Sequence, residues 1–147
     1  MSAPLQQEIG RTEHALTALL VEHVLADAPF RTSDEWAAVN LLERIAPADA
    51  SAWRALIADV LSMTDPRADE IATRLCASGI VVDSGQGLTL DDETRRSLAA
   101  GRTKSAHVAA EIDRRVAPDE REITVGVLAT VRDVVREIRQ HGFPSSV

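Results

Sequence analysis

The sequence predicts a mostly helical fold carrying one short β-hairpin, and three observations lead there. Apolar residues recur at steps of three and four along most of the chain, the spacing that gathers them on one helical face. Aromatic residues make up only 3% of it, namely Phe30, Trp36, Trp53 and Phe143 with no Tyr. The core must then be built from Leu, Val, Ile and Ala, whereas an all-β fold would call for aromatic and β-branched strands. Finally, the run TDPRADEIATRLCASGIVVDSGQGLTLDDETRR, residues 64–96, reads in order as a helix, a tight turn, a strand, a glycine-containing turn, a second strand and the start of another helix. With a regular helical stripe just before it, that order is the layout of a winged helix-turn-helix with a two-stranded wing.

A chain of 147 residues, 45% hydrophobic, is long enough for one domain with a real core and too apolar for intrinsic disorder. Its net charge of −7 repels nucleic acid unless the basic groups are concentrated in one place. The scarcity of aromatics leaves no platform on which single-stranded bases would stack. The single cysteine, Cys76, excludes an intrachain disulfide and fits a reducing compartment. No apolar run reaches the length needed to cross a bilayer. The opening residues MSAPLQQEIG lack the charged and apolar regions of a signal peptide. A cytoplasmic protein with no membrane partner is the expectation.

Residues 5–27 place Leu5, Ile9, Leu16, Leu19, Leu20, Val24 and Leu25 on a helical face, with Pro29 as the stop. His14 and His23 on this helix are not four apart, so they do not form an i, i+4 ligand pair. Thr32 followed by Glu35 is a capping box that opens a second helix, with Trp36, Val39, Leu42 and Ile45 inward and Pro47 as its end. A third helix is announced by Asp49 or Ser51 as cap, with Trp53, Leu56, Ile57, Val60 and Leu61 as its stripe. The fourth begins with Asp65 as an acidic cap and Pro66 as first helical residue; Ala68, Ile71, Ala72 and Leu75 point inward, and Gly79 supplies the left-handed terminator. Cys76, near its end, reads as a buried small side chain rather than a reactive thiol.

Ile80–Val82 and Leu88–Leu90 are short β-prone runs joined by Asp83-Ser84-Gly85-Gln86-Gly87, whose glycines provide the positive-φ positions of a hairpin. A phosphate-cradling glycine loop would open a helix; this one leads into a strand. Asp91 caps a long helix over 92–116, with Leu98, Ala109, Ile112 and Val116 as its buried side. Pro118 starts a last helix over 118–139, with Ile123, Val125, Val127, Leu128, Val131, Val134, Val135 and Ile138 on a broad apolar stripe. Neither repeats nor an internal linker interrupt the chain.

In order and spacing, these residues resemble the MarR family, the multiple-antibiotic-resistance type of bacterial regulators. The resemblance rests on Ile57 to Thr64 as first helix of the helix-turn-helix and its turn, on Arg74-Leu75 followed by Gly79-Ile80-Val81, on Leu90-Asp91-Asp92-Glu93-Thr94-Arg95, and on Pro118 to Glu122. It covers nearly the whole chain, and its weight comes from the order of the motifs, none of which is specific alone. It implies one MarR-like domain in which 5–27 and 118–139 are dimerisation helices, 32–96 is the winged helix-turn-helix, and 92–116 connects them. The implied function is a homodimeric transcriptional regulator that binds double-stranded DNA and responds to a small aromatic effector, with neither enzyme activity nor a cofactor or metal. The implied DNA contacts are Arg54, Thr64, Arg67, Arg74, Ser84 and Gln86. The implied dimer interface falls on Leu5, Ile9, Leu16, Val127, Val131, Val134, Val135 and Ile138, and the conceivable effector lining on His14, Phe30, Trp36 and Trp53, with the two Trp as core residues the competing reading.

Charge opposes part of this. Over residues 51–90 three bases, Arg54, Arg67 and Arg74, face five acids, Asp59, Asp65, Asp69, Glu70 and Asp83. The segment between the strands carries no base, whereas a DNA-facing module should show a basic footprint. A basic run from Arg95 to Lys104 is the other candidate for phosphate contact, and reads equally as a solvated face. The alternative is a protein of this fold with weakened or lost DNA binding that acts through protein or small-molecule contacts. An enzyme is disfavoured, since neither metal-ligand spacing, nor a nucleophile with a base, nor a cofactor loop is present.

Overall fold

The computed structural model describes residues 3–143 of the chain. Six helices and one antiparallel hairpin succeed one another in it: α1 (Leu5–Leu19), α2 (Ser33–Ile45), α3 (Ala50–Val60), α4 (Asp65–Ala77), β1 (Val81–Asp83), β2 (Leu88–Leu90), α5 (Asp92–Arg115) and α6 (Pro118–His141). The chain falls into two compact units, one ending at Ser105 and the other beginning at Ala106.

In the first unit, α1 passes into a π-helical turn, Leu20–Val24, closed by the Leu25 N–H donating to the Leu20 carbonyl at 2.9 Å. None of the residues of α1 is buried, whereas Val24 and Leu25 just beyond it are. The start of α2 follows the capping box only by half. Thr32 Oγ1 accepts the Glu35 N–H at 3.2 Å, but the Glu35 carboxylate reaches one residue further back and accepts the Arg31 N–H at 2.6 Å. The helix ends on Ala46, held at φ 50, a left-handed conformation that a Cβ disfavours; Ser62 after α3 has φ 54. Asp49 caps α3, accepting the Ala52 N–H at 2.8 Å.

The cap of α4 is Thr64, whose Oγ1 accepts the Arg67 N–H at 3.4 Å, and not Asp65, which lies inside the first turn. Both residue types are good N-caps, and the local sequence did not separate them. Gly79 beyond its other end has φ +80, the position where glycine relieves the chain of a Cβ clash. The hairpin pairs Val81 with Leu90, Val82 with Thr89 and Asp83 with Leu88, one residue later than the β-prone run began. Period-two alternation holds at its core end, with Val81 and Leu90 buried and Val82 and Thr89 exposed.

The core joins these elements: Ala38, Val39 and Leu42 of α2, Trp53 and Ile57 of α3, Ala68, Ile71, Ala72 and Leu75 of α4, Val81 and Leu90 of the wing, and Leu98 of α5. Trp53 is completely enclosed and its Nε1–H donates to the Ala38 carbonyl at 3.0 Å, so the one polar atom of the ring has a partner. The inward face expected for α4 is the one observed. For α2 and α3, Ile45 and Val60 are instead half exposed, because each stands in the last turn of its helix, where the stripe leaves the core.

Asp91 caps α5, with Oδ1 accepting the Thr94 N–H at 2.6 Å. Buried on this helix are Thr94, Leu98 and Gly101. Ala109 and Ile112, expected inside, are exposed; they belong to the second unit, in which α6 also has no buried residue. Arg121 and Asp113 pair there at 3.5 Å, and the Ala117 N–H donates to Glu120 at 3.4 Å. The tail expected after Gly142 lies largely outside the described residues. No helix among the described residues is long and apolar enough to cross a membrane.

Candidate nucleic-acid interface

α3 and α4 form the helix-turn-helix, with α4 in the position of the recognition helix and the hairpin after it as the wing. The buried stripe of α4 holds it on the core and leaves Arg67, Asp69, Glu70, Thr73 and Arg74 on its outward side. All three arginines singled out in the sequence are partly exposed, and each faces a carboxylate of the protein. Arg67 lies 3.8 Å from Asp34 and 3.3 Å from Glu70. Arg74 donates to Glu35 at 3.2 Å and to Glu70 at 3.3 Å. Arg54 of α3 sits 3.7 Å from Asp69, and its Nε is buried without a hydrogen-bond partner; it is the most loosely held of the three.

These contacts close a ring. Asp34 and Glu35 are consecutive in the first turn of α2, and Arg67, Glu70 and Arg74 follow one another on α4 at the i, i+3 and i, i+4 spacings of a helix face. Glu70 gives one carboxylate oxygen to each arginine. Glu35 is the buried member, 2% exposed, and a charge so enclosed must be paired and hydrogen-bonded; Arg74 and the Arg31 N–H do this. Sequence reading found Glu35 only as a capping residue and missed it as a counter-ion. Its partner is 39 positions away, and no local pattern signals such a pair.

The other candidates are dispersed. Thr64 spends its hydroxyl on the α4 cap. Ser84 and Gln86 are exposed in the wing, where the Ser84 N–H and Oγ–H both donate to the Gly87 carbonyl at 3.2 and 3.3 Å, and the Gly85 N–H donates to Asp83 at 3.0 Å. Much of the basic run on α5 is committed inside the unit. Arg102 Nε donates to Asn40 at 2.9 Å and Nη2 pairs with Glu43 at 2.9 Å, while Lys104 donates to the His23 carbonyl at 3.1 Å, beside the end of the π turn. Burial pushes the Cys76 thiol above its ordinary pKa, Arg54 and Asp83 nearby acting in opposite directions; a thiol so shifted is a poor nucleophile at neutral pH.

Of the four residues considered for an effector, Trp53 and Phe30 belong to the buried core and Trp36 packs against it. His14 is exposed on α1 beside Glu13. Trp36 packs on α5, where a Cβ added at Gly101 would stand 3.1 Å from its Nε1 and 3.4 Å from Val24 Cγ1. That Nε1 is buried and unpartnered, a donor left without its acceptor.

No protein-family model matches the chain, and no curated protein matches it. Solved structures do. A transcriptional repressor, CouR, bound to p-coumaroyl-CoA, superposes with TM-score 0.69 and 20% identity over 88% of this chain and 91% of its own. The PcaV transcriptional regulator of Streptomyces coelicolor, in complex with its natural ligand, does so with TM-score 0.69 and 20% identity over 92% and 99%. A MarR family protein of Mycobacterium tuberculosis matches with TM-score 0.54 and 23% identity over 87% and 94%. The fold of this chain is therefore the MarR-type winged helix-turn-helix.

Proposed function

We propose that the chain is a dimeric transcriptional regulator that binds double-stranded DNA through α4 and responds to a small aromatic effector. The observation that carries this reading is the outward side of α4, which offers Arg67 and Arg74 beside Arg54 of α3, on a fold shared with two transcriptional regulators and a MarR family protein over most of their length. Arginine suits both phosphate and the guanine edge. Two such helices in a dimer would enter successive major grooves of a palindromic site, with Thr64, Ser84 and Gln86 as polar contacts at the helix start and the wing.

Dimerisation is supported by the unpartnered apolar side chains of the terminal helices. Leu5 and Leu16 on α1, and Val127, Val134 and Val135 on α6, are exposed; Ile9, Val131 and Ile138 are half-buried. Apolar surface of this kind marks an interface. Effector binding is supported by two of the similar structures, one bound to p-coumaroyl-CoA and one in complex with its natural ligand.

The test is a titration of the dimer against duplex DNA from the upstream region of its own gene, monitored by fluorescence anisotropy at several salt concentrations. A specific complex whose log K falls by about 0.9 per phosphate contact with log salt is expected. Absence of a specific complex at low salt would discard the DNA reading. It would favour the second one, a winged fold acting through protein contacts, for which the base-free wing and the carboxylates facing every arginine of α3 and α4 are the support.

A further inference from the structure

The ion ring on α4 suggests how DNA binding would be held in check. We propose that Glu70 is an internal competitor for nucleic-acid phosphate: it holds Arg67 and Arg74 in the unbound protein and has to release them before α4 can engage DNA. The inference rests on reading α4 as the DNA-binding helix, and it adds the element that sets its affinity.

The geometry singles out Glu70 among the acids of this face. One oxygen stands 3.3 Å from Arg67 Nη1 and the other 3.3 Å from Arg74 Nη2, so a single carboxylate occupies the place between two guanidiniums that a phosphate group would take. Both groups are anions with several acceptor oxygens, and guanidinium pairs with either in the same forked manner. Glu70 is itself exposed, and so is within reach of exchange. Glu35 is not. It is buried under Arg74, so release from Glu70 leaves Arg74 anchored at one side and turns its free Nη2 outward. Arg67 retains only the longer contact to Asp34. Asp65, by contrast, shares the helix start but pairs with no cation among the described residues, so it adds negative potential without holding an arginine.

That difference makes the test selective. Wild type, Glu70→Gln and Asp65→Asn are titrated with a fluorescein-labelled duplex of mixed sequence, and unfolding midpoints are recorded for all three. Both substitutions remove one negative charge from α4. A general charge effect would favour Asp65→Asn at least as much, because Asp65 lies in the first turn, the end that HTH recognition helices present to the bases. The lock predicts instead that Glu70→Gln binds about fivefold more tightly while Asp65→Asn changes affinity less than twofold. It also predicts that Glu70→Gln gains less affinity when introduced beside Arg67→Gln than in the wild type. If wild type binds and Glu70→Gln binds no more tightly than Asp65→Asn, the lock is wrong while the DNA reading stands. If neither wild type nor Glu70→Gln binds duplex at low salt, both are wrong.

Discussion

Gly101 shows how one residue can decide a contact. It is buried in the middle of α5, where glycine costs roughly 1 kcal/mol of helix propensity relative to alanine. In return Trp36 and Val24 come close against the bare backbone. A Gly101→Val variant places a branched side chain where even a Cβ is crowded, and overpacking of this sort costs about 1–3 kcal/mol; the denaturant midpoint should fall accordingly. Trp53 is the opposite case, a large side chain that fills its site and satisfies its own N–H. Trp53→Ala should cost about 3–5 kcal/mol, read in the same unfolding experiment. Asp91 adds a pH-sensitive contribution. Hydrogen bonding from the side chain and backbone of Thr94 holds its carboxyl below the ordinary carboxylate range. A depressed folded pKa means that the cap stabilises fully above the unfolded value, near 4, and that this is lost as pH falls through the folded one. Asp91→Ala should cost about 1 kcal/mol at neutral pH, and the gap to wild type should close in acid, by less than the full capping value because the group is exposed to solvent.

At the scale of elements, what the sequence disclosed depended on whether the determining interaction was local. The inner face of α4, the Gly79 terminator and the Asp91 cap were all legible, since each follows from residues within one or two turns. Pro47 placed the end of α2, but the exposure of Ile45 and Val60 was not legible, because periodicity continues past the point where a helix leaves the core. The ion ring was illegible for a stronger reason: Glu35 and Arg74 meet only after α2 and α4 have packed together. α6 raises the converse question, a broad stripe with no buried residue. Val134→Asp would place a charge within that stripe, and under the dimer reading sedimentation should shift from dimer to monomer at micromolar concentration while helix content is retained. An unchanged dimer would exclude this face from the interface.

For the molecule as a whole, the excess of acids in a chain of net charge −7 takes a specific form on the winged face: its arginines are present, but each has a carboxylate within 4 Å. Composition alone gives the same sum for arginines held in pairs and arginines scattered among acids, and only the packing of α2 on α4 separates the two. The fold was readable because the order of helices and hairpin is carried by the chain itself; the state of the candidate site was not, because it depends on which charges end up adjacent.

The left-handed backbone at Ala46 has a consequence for engineering. α2 closes on a residue whose methyl group opposes the required twist, so the hinge before α3 stores strain that one codon change would remove. Ala46→Gly should raise the melting temperature by about 2 °C, the shift that somewhat under 1 kcal/mol produces in a chain of this size, reduced by the extra freedom glycine lends the unfolded state. Heat tolerance could thus be raised at a joint between two helices while every charged group of the winged face is left as it is.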